Sequence, residues 1–261
     1  MPAGRATQPI ADGKSDSTPG ALRSSFFVGH NMKLLRILTN QNGISRRQAK
    51  ALLAAGRVHV DGERCHDPDL DIPRFREVCV DQRIIQSAAP SYYLMLNKPS
   101  GYLSATRDDQ HPTVMELIDP LLRPHVHIAG RLDRASTGLL ILTSDGVWSR
   151  RLTEPAVKIP KVYRVTTAYA ISPETEDRFR EGIWFEYEQL RTSPASLEPL
   201  GEREVRLTIY EGRYHQVKRM FHAVGNRVTS LHRESMGGLT VDGLEPGSYR
   251  HLSAQEVSSI G

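Results

Sequence analysis

The pattern of hydrophobic and polar positions changes character at Met32. Before it, residues 1–31 are mostly small, polar and turn-forming, with no period and only Phe26 and Phe27 as bulky apolar content. They are expected to form a mostly disordered tail, either a leader without function or an over-extended start. After it, Leu34, Leu35 and Leu38 fall on one helical face, and Gly43 ends the run. Ser45 is placed to cap a second helix over 46–55, closed by Gly56, in which Ala49, Leu52 and Leu53 face a core. Val58 and Val60 alternate as a short strand, and Asp61-Gly62 makes a hairpin turn. These elements predict a compact α+β module over 32–83, followed by a linker over 84–91.

From residue 92 to 261 the chain alternates strands and helices and is long enough for one sizeable domain. Strands are expected at 92–96, 139–143, 162–168 and 205–210, and helices at 112–118 and 172–181. The run 139–143 is continuously apolar and closes on Ser144-Asp145-Gly146, which places it in a buried sheet. After 205–210, Val217, Met220, Phe221 and Val224 recur at helical spacing, and Gly225 supplies the stop. The opposite side of that helix carries His215, Lys218, Arg219 and His222. Basic residues early in a helix oppose its dipole, which hints at a partner anion; a plain basic surface helix is the alternative.

Composition narrows the class. A chain of 261 residues has room for about two domains, and 39% hydrophobic content supports a folded core. No stretch approaches 18 consecutive apolar residues, so no membrane span is expected, and the N-terminus lacks a signal peptide's apolar core. Cys65 and Cys79 fit neither a metal spacing nor a disulfide framework, which suits a reduced, cytoplasmic protein. The net charge of +4 conceals a local concentration. Between residues 33 and 62, Lys33, Arg36, Arg46, Arg47, Lys50 and Arg57 face a single negative, Asp61, and this +5 exceeds the charge of the whole chain. Such a patch can neutralise phosphates with a salt-dependent affinity, or can be an ordinary solvated helix face.

Candidate chemistry centres on the polar loop between Gly130 and Gly138. Asp133 lies there between Arg131 and Arg134, a setting that favours an ionised carboxylate able to act as nucleophile or base. The residues alone equally allow an aspartate that caps the N–H groups of a turn. Lys161, Tyr163 and residue 165 share one face of their strand, where a tyrosine is ordinarily packing. Asn97-Lys98-Pro99-Ser100-Gly101 is a weak turn signal, and His125 and His127 lack a third ligand, so no metal site is expected.

Two resemblances rest on these segments. The run from Met32 to Gly62, with Gly43-x-Ser45-Arg46 and Gly56-Arg57-Val58-x-Val60-Asp61-Gly62, resembles an S4 RNA-binding module. That resemblance implies that Arg46, Arg47, Lys50 and Arg57 are presented to folded RNA. The order of S4 module, Lys98-Pro99-x-Gly101, Gly130-Arg131-Leu132-Asp133, Lys161-x-Tyr163 and the helix from Glu211-Gly212 to Met220 resembles the RsuA-type pseudouridine synthases. Ser136 stands where threonine is commoner in that family, which keeps the hydroxyl.

The resemblance implies an α+β fold, in which a small αL-type S4 domain precedes a bilobal catalytic domain with a mixed or antiparallel sheet. It implies conversion of a uridine in RNA to its C-glycoside isomer, without cofactor or metal. Asp133 would be the essential carboxylate, Tyr163 the tyrosine against the base, and Lys218 the cation paired with the carboxylate. Arg131 would fill the space a flipped base leaves, Leu231 would form an apolar floor, and Lys98 would position the neighbouring loop or RNA backbone. Tyr214-His215 stands where relatives acting on the large subunit more often carry asparagine-arginine. The expected substrate is therefore 16S rRNA within an assembling small-subunit particle, at the uridine 516 site, and the expected enzyme is a monomer. The alternatives are a 23S rRNA enzyme of the same family and a non-catalytic S4-type assembly factor.

Overall fold

The computed structural model describes residues 32–260; the expected tail over 1–31 lies outside the described residues. The first module folds around two short helices, α1 (Leu34–Thr39) and α2 (Arg46–Ala54). Ser45 caps α2 reciprocally: its hydroxyl accepts from the Gln48 N–H, and Gln48 Oε1 accepts from the Ser45 N–H at 2.8 Å. Strands β1 (Val58–Val60), β2 (Glu63–Arg64), β3 (Val78–Val80) and β4 (Arg83–Gln86) form a sheet of order β2-β1-β3-β4. Asp61 and Gly62, both at positive φ, turn β1 into β2. The core is Leu34, Ile37, Leu38, Ala49 and Leu53 against Val58, Val60, Ile72, Val78 and Val80. Leu35 and Leu52, expected inside, pack at its edge, and Ile37 takes the inward position beside Leu38.

One boundary moves. The linker expected over 84–91 begins too early, because β4 pairs antiparallel with β3 and belongs to the first sheet. Ile84 is half exposed on that edge strand, which weakens its hydrophobic pattern in the sequence. The connection shortens to 87–92, and the Ala89 N–H is still tied to the Arg74 carbonyl.

The second domain is built on one nine-stranded sheet. Its main path uses β5 (Tyr93–Lys98), β6 (Thr137–Thr143), β7 (Lys161–Thr167), β8 (Ser196–Gly201), β9 (Glu204–Ile209), β10 (Val228–Met236) and β11 (Tyr249–His251), in the order β8-β9-β7-β10-β6-β5-β11. Short strands His127–Ala129 and Leu239–Thr240 add to β6 and β10. The β10–β6 pairing is parallel, and the other pairings are antiparallel.

Both faces of the central strands are covered, which explains the unbroken apolar runs. Leu94, Leu96, Leu140 and Leu142 join a core with helices α4 (Glu174–Glu181) and α5 (Gln216–Ala223). Met95, Leu139 and Ile141 point to the other face, against Trp148 and Leu152 of α3 (Gly146–Thr153). Two expected elements change. The strand expected at 92–96 runs on through Asn97 and Lys98, polar residues whose side chains find buried carbonyl partners. The helix expected over 112–118 is a single tight turn, Val114–Leu117, closed by the Thr113 N–H on Glu116 Oε1 at 2.8 Å.

The parallel register sets Gly138 opposite Arg233 so closely that a Cβ on Gly138 would lie 2.3 Å from the Arg233 carbonyl oxygen. Gly138 is also at φ +101°. Gly138→Ala should therefore lose at least about 2 kcal/mol of stability in urea unfolding, from strain and steric overlap together. Gly212→Ala, where nothing lies within 4 Å, should stay within about 0.5 kcal/mol. Equal losses for the two variants would contradict this reading of the register.

Candidate active site

The loop from Gly130 to Ser136 leaves Asp133 half-buried at the mouth of a cleft of about 140 Å³. Its hold on the sheet comes from the preceding strand. Lys98, at the end of β5, is wholly buried, and its Nζ donates to the carbonyls of Pro99 (3.0 Å), Arg134 (3.2 Å) and Ser136 (2.7 Å). The Gly101 N–H reaches the Arg134 carbonyl at 2.9 Å, and Ser104 Oγ donates to the Leu132 carbonyl at 2.8 Å. The loop is thus pinned on both sides of Asp133. Lys98 was expected to position either this loop or RNA; its amine contacts three carbonyls of and beside the loop.

The charge facing Asp133 does not come from the flanking arginines. Arg134 Nε donates to the Gly101 carbonyl, and Arg131 is exposed at the cleft rim. The carboxylate instead meets α5: Lys218 Nζ donates to Asp133 Oδ2 at 2.7 Å, and His215 Nε2 lies 3.3 Å from Oδ1. The Asp133 side chain accepts no backbone N–H among the described residues, so the turn-capping alternative does not describe it. Its side chain keeps 27% exposure and that of Lys218 keeps 34%. An ion pair so open to water contributes about 1 kcal/mol or less to stability. Folding alone gives little reason to join two segments 85 residues apart.

His215 was seen in the sequence as one polar residue among several, without a site role. It is the N-cap of α5 in a left-handed conformation (φ 48°, ψ 30°), with the Tyr214 ring stacked on it at 3.9 Å. Its φ alone departs from strand or helix periodicity, and no sequence spacing signals that. Beneath this turn, buried Glu211 accepts from the Ser193 N–H, Gln216 Nε2 and Arg213 Nε. The partner anion hinted at by the basic helix start is intramolecular: Asp133 answers Lys218, and Glu188 answers Arg219 with two contacts of 2.6 Å. The Arg219 guanidinium also lies 3.7 Å above the Phe185 ring, and its hydrogen bonds hold the Glu188 carboxyl below its ordinary value.

The cleft walls come from β7 and β10. Tyr163 and Leu231 are buried and line it, as do Lys161 and Arg233. Arg233 Nη1 donates to Tyr163 Oη at 3.4 Å. Burial, reinforced by Arg233, lowers the Lys161 ammonium to about 8. Burial likewise lowers Lys98 to about 8, against an opposing pull from Asp133. Lys161 and Arg233 escaped the sequence reading as site residues, although a charge at an inward position of an alternating strand was a usable signal. Among the described residues, no cluster of three metal-ligating side chains is present.

In the first module, Arg46, Arg47 and Lys50 are exposed on α2, but the +5 count shrinks in three dimensions. Arg57 is paired with Asp81 through Nε at 2.7 Å and a second, shorter contact, and Asp81 lies outside the counted window. Lys33 is met by Asp71 at 3.1 Å. Arg57 therefore does not join Arg46, Arg47 and Lys50 as an uncompensated cation.

Residues 92–223 match the family model described as RNA pseudouridylate synthase, and residues 32–73 match the S4 domain model. Over 230 residues the chain is 49% identical to the ribosomal small subunit pseudouridine synthase A of Pseudomonas aeruginosa, covering 88% of this chain and all of that protein. The Escherichia coli protein of the same name is 42% identical over 230 residues, again covering 88% of this chain and all of the relative. A crystal structure of a pseudouridylate synthase superposes with a TM-score of 0.65 at 37% identity, covering 88% of this chain and all of that one.

The lowered Lys98 value fixes the sign of a pH effect. Between about pH 8 and pH 10 the unfolded lysine keeps a proton that the folded one has lost, so its contribution to stability rises with pH. The unfolding free energy of the native protein minus that of Lys98→Met should therefore increase across this window in parallel denaturant titrations. A difference independent of pH would contradict the burial of an ionisable amine here.

Proposed function

This chain belongs to the RNA pseudouridylate synthase family, and we propose that its substrate is a uridine of 16S rRNA, the uridine 516 site, within an assembling small-subunit particle. The observation that carries the chemistry is the contact of the Asp133 carboxylate with Lys218 Nζ at 2.7 Å, in a cleft walled by Tyr163 and Leu231. The substrate choice is supported by the small-subunit names of relatives that span 88% of the chain.

In this reading Asp133 is the nucleophilic or general-base carboxylate. Lys218 Nζ donates to one carboxylate oxygen at 2.7 Å and so fixes where the carboxylate points. His215 Nε2 lies 3.3 Å from the second carboxylate oxygen, so both oxygens of Asp133 face α5. The target uridine leaves its stack to reach them, at a cost of a few kcal/mol that pocket contacts offset. Tyr163 and Leu231 provide apolar surface for the ring, and Arg131 at the rim stands ready for the space the base vacates. The S4 module adds phosphate contacts through Arg46, Arg47 and Lys50, which orient the RNA without reading its bases. We assign the reaction to the cytoplasm and to a monomer working without cofactor.

Asp133→Asn should lower turnover by at least about a thousandfold while leaving RNA affinity intact, because charge is lost and shape is kept. Persistent turnover would refute the role. Mapping pseudouridines in cells with and without the protein should show one site missing from 16S rRNA and an unchanged 23S map. A lost 23S site would transfer the assignment to the large subunit, and two unchanged maps would favour an assembly factor. For the S4 surface, Arg46→Ala with Lys50→Ala should weaken RNA binding and reduce the slope of log affinity against log salt by about 2. An unchanged slope would contradict direct phosphate contact.

A further inference from the structure

Two buried side-chain polar atoms lack a hydrogen-bond partner among the described residues: Ser136 Oγ and Arg233 Nη2. Both residues line the cleft that holds Asp133. Leaving a buried polar group unpaired costs roughly 1–3 kcal/mol, and more when it is charged. Two such groups in one cleft are therefore an unusual expense for the fold.

Their setting shows what they lack. Arg233 is 2% exposed. Its Nε donates to the Leu139 carbonyl at 2.7 Å and its Nη1 to Tyr163 Oη, which leaves Nη2 without an acceptor. Register explains the position, since β10 sets Arg233 opposite Tyr163 on β7, and Lys161 lies two residues away on the same face of that strand. Lys161 is also buried, with Nζ on the Ile159 carbonyl at 2.9 Å. Neither cation has a carboxylate partner among the described residues, whereas Lys218 has Asp133. The cleft thus holds two buried positive charges that the chain does not answer, a costly arrangement unless the substrate supplies the matching charge.

Uridine isomerisation supplies it during the reaction. When the N1–C1′ bond breaks, its electron pair stays on the ring, and the negative charge spreads over the two carbonyl oxygens. The ring then turns, C5 bonds to C1′, the C5 proton leaves, and N1 takes up a proton; nothing is gained or lost overall. We propose that Arg233 donates from Nη2 to a carbonyl oxygen of the uracil ring and, backed by Lys161 and the Ser136 hydroxyl, stabilises the charge that develops there. Arg233 is then a further catalytic residue. A nucleotide phosphate is the other anion available, but Arg233 lies beside the Tyr163 ring and two residues from Leu231, apolar surfaces suited to a base. A preorganised donor of this kind is worth about 10²–10³ in rate.

This inference rests on the cleft being where the uridine reacts, a reading that fails separately if Asp133→Asn keeps its turnover. The test uses 16S rRNA assembled with small-subunit proteins, carrying uridine, 2-thiouridine or 4-thiouridine at the target position. Single-turnover rates and RNA affinities are compared for the native protein, Arg233→Gln and Arg233→Lys. Arg233→Gln should lose about 10²–10³ in rate on the uridine RNA with unchanged affinity, and Arg233→Lys should recover part of that loss. One of the two thio RNAs should slow the native protein about tenfold and slow Arg233→Gln no further, because sulfur accepts the hydrogen bond poorly. A variant as fast as the native protein, weakened RNA binding with full rate (a phosphate contact), or thio effects that multiply with the substitution would each overturn the proposal. Should the variants fail to fold, the native protein still decides: equal rates on all three RNAs would refute the carbonyl contact.

Discussion

A carboxylate and an ammonium 2.7 Å apart, drawn from segments 85 residues apart in sequence, set the demands that the second domain meets. Asp133 stands on a loop that buried Lys98 fastens through three carbonyls. Lys218 stands on a helix whose inner face, Val217, Met220 and Phe221, is locked into the larger core. Sheet strands wall the cleft beside them, and the parallel pairing of β6 with β10 is close enough to require Gly138. The turn that starts α5 adds its own constraint, with His215 in a left-handed conformation beside Asp133 and Glu211 buried beneath it. Backbone strain and buried charge near one carboxylate mark a site kept for chemistry at some expense to stability.

The charge balance of the cleft follows the same logic. Lys218 meets Asp133 at the mouth, where water still enters and the pair is nearly neutral in its effect on folding. Deeper in, Lys161 and Arg233 carry charge without a partner acid, and burial has already made Lys161 easier to deprotonate. An entrance that holds one anion and an interior that awaits another suit a reaction whose negative charge appears on the substrate only as a bond breaks. In the proposed reading the S4 module works by different physics, its exposed cations on α2 meeting phosphates through long-range, salt-sensitive attraction.

Much of this arrangement was legible in the sequence. Ser45, the alternation at Val58 and Val60, and the helical spacing of Val217, Met220 and Phe221 each encode local geometry that survives folding. Asp133, Tyr163 and Lys218 are singled out by motifs that resemble a known family, and the fold brings the three to one cleft. Three-dimensional pairing was not legible. Arg57 reads as a free cation in the sequence, whereas Asp81 meets it from the end of the neighbouring strand, and the three carbonyls that converge on Lys98 are not visible in the order of residues. Arg134 flanks Asp133 in sequence yet turns away to Gly101. His215 depends on a left-handed φ, which leaves no pattern in the order of residues, whereas the inward charge of Arg233 on its alternating strand was a signal left unused. The strand at Arg83–Gln86 was hidden because an exposed edge carries little hydrophobic alternation.

The central claim is that the cleft works through a carboxylate held in place by the cation facing it. The most direct measurement compares single-turnover rates of Lys218→Arg and Lys218→Met on the same small-subunit RNA, with RNA affinity measured alongside. The account predicts that arginine keeps the rate within about tenfold, whereas methionine loses about a hundredfold or more at unchanged affinity, since only the charge differs decisively. Equal rates for the two variants would contradict it.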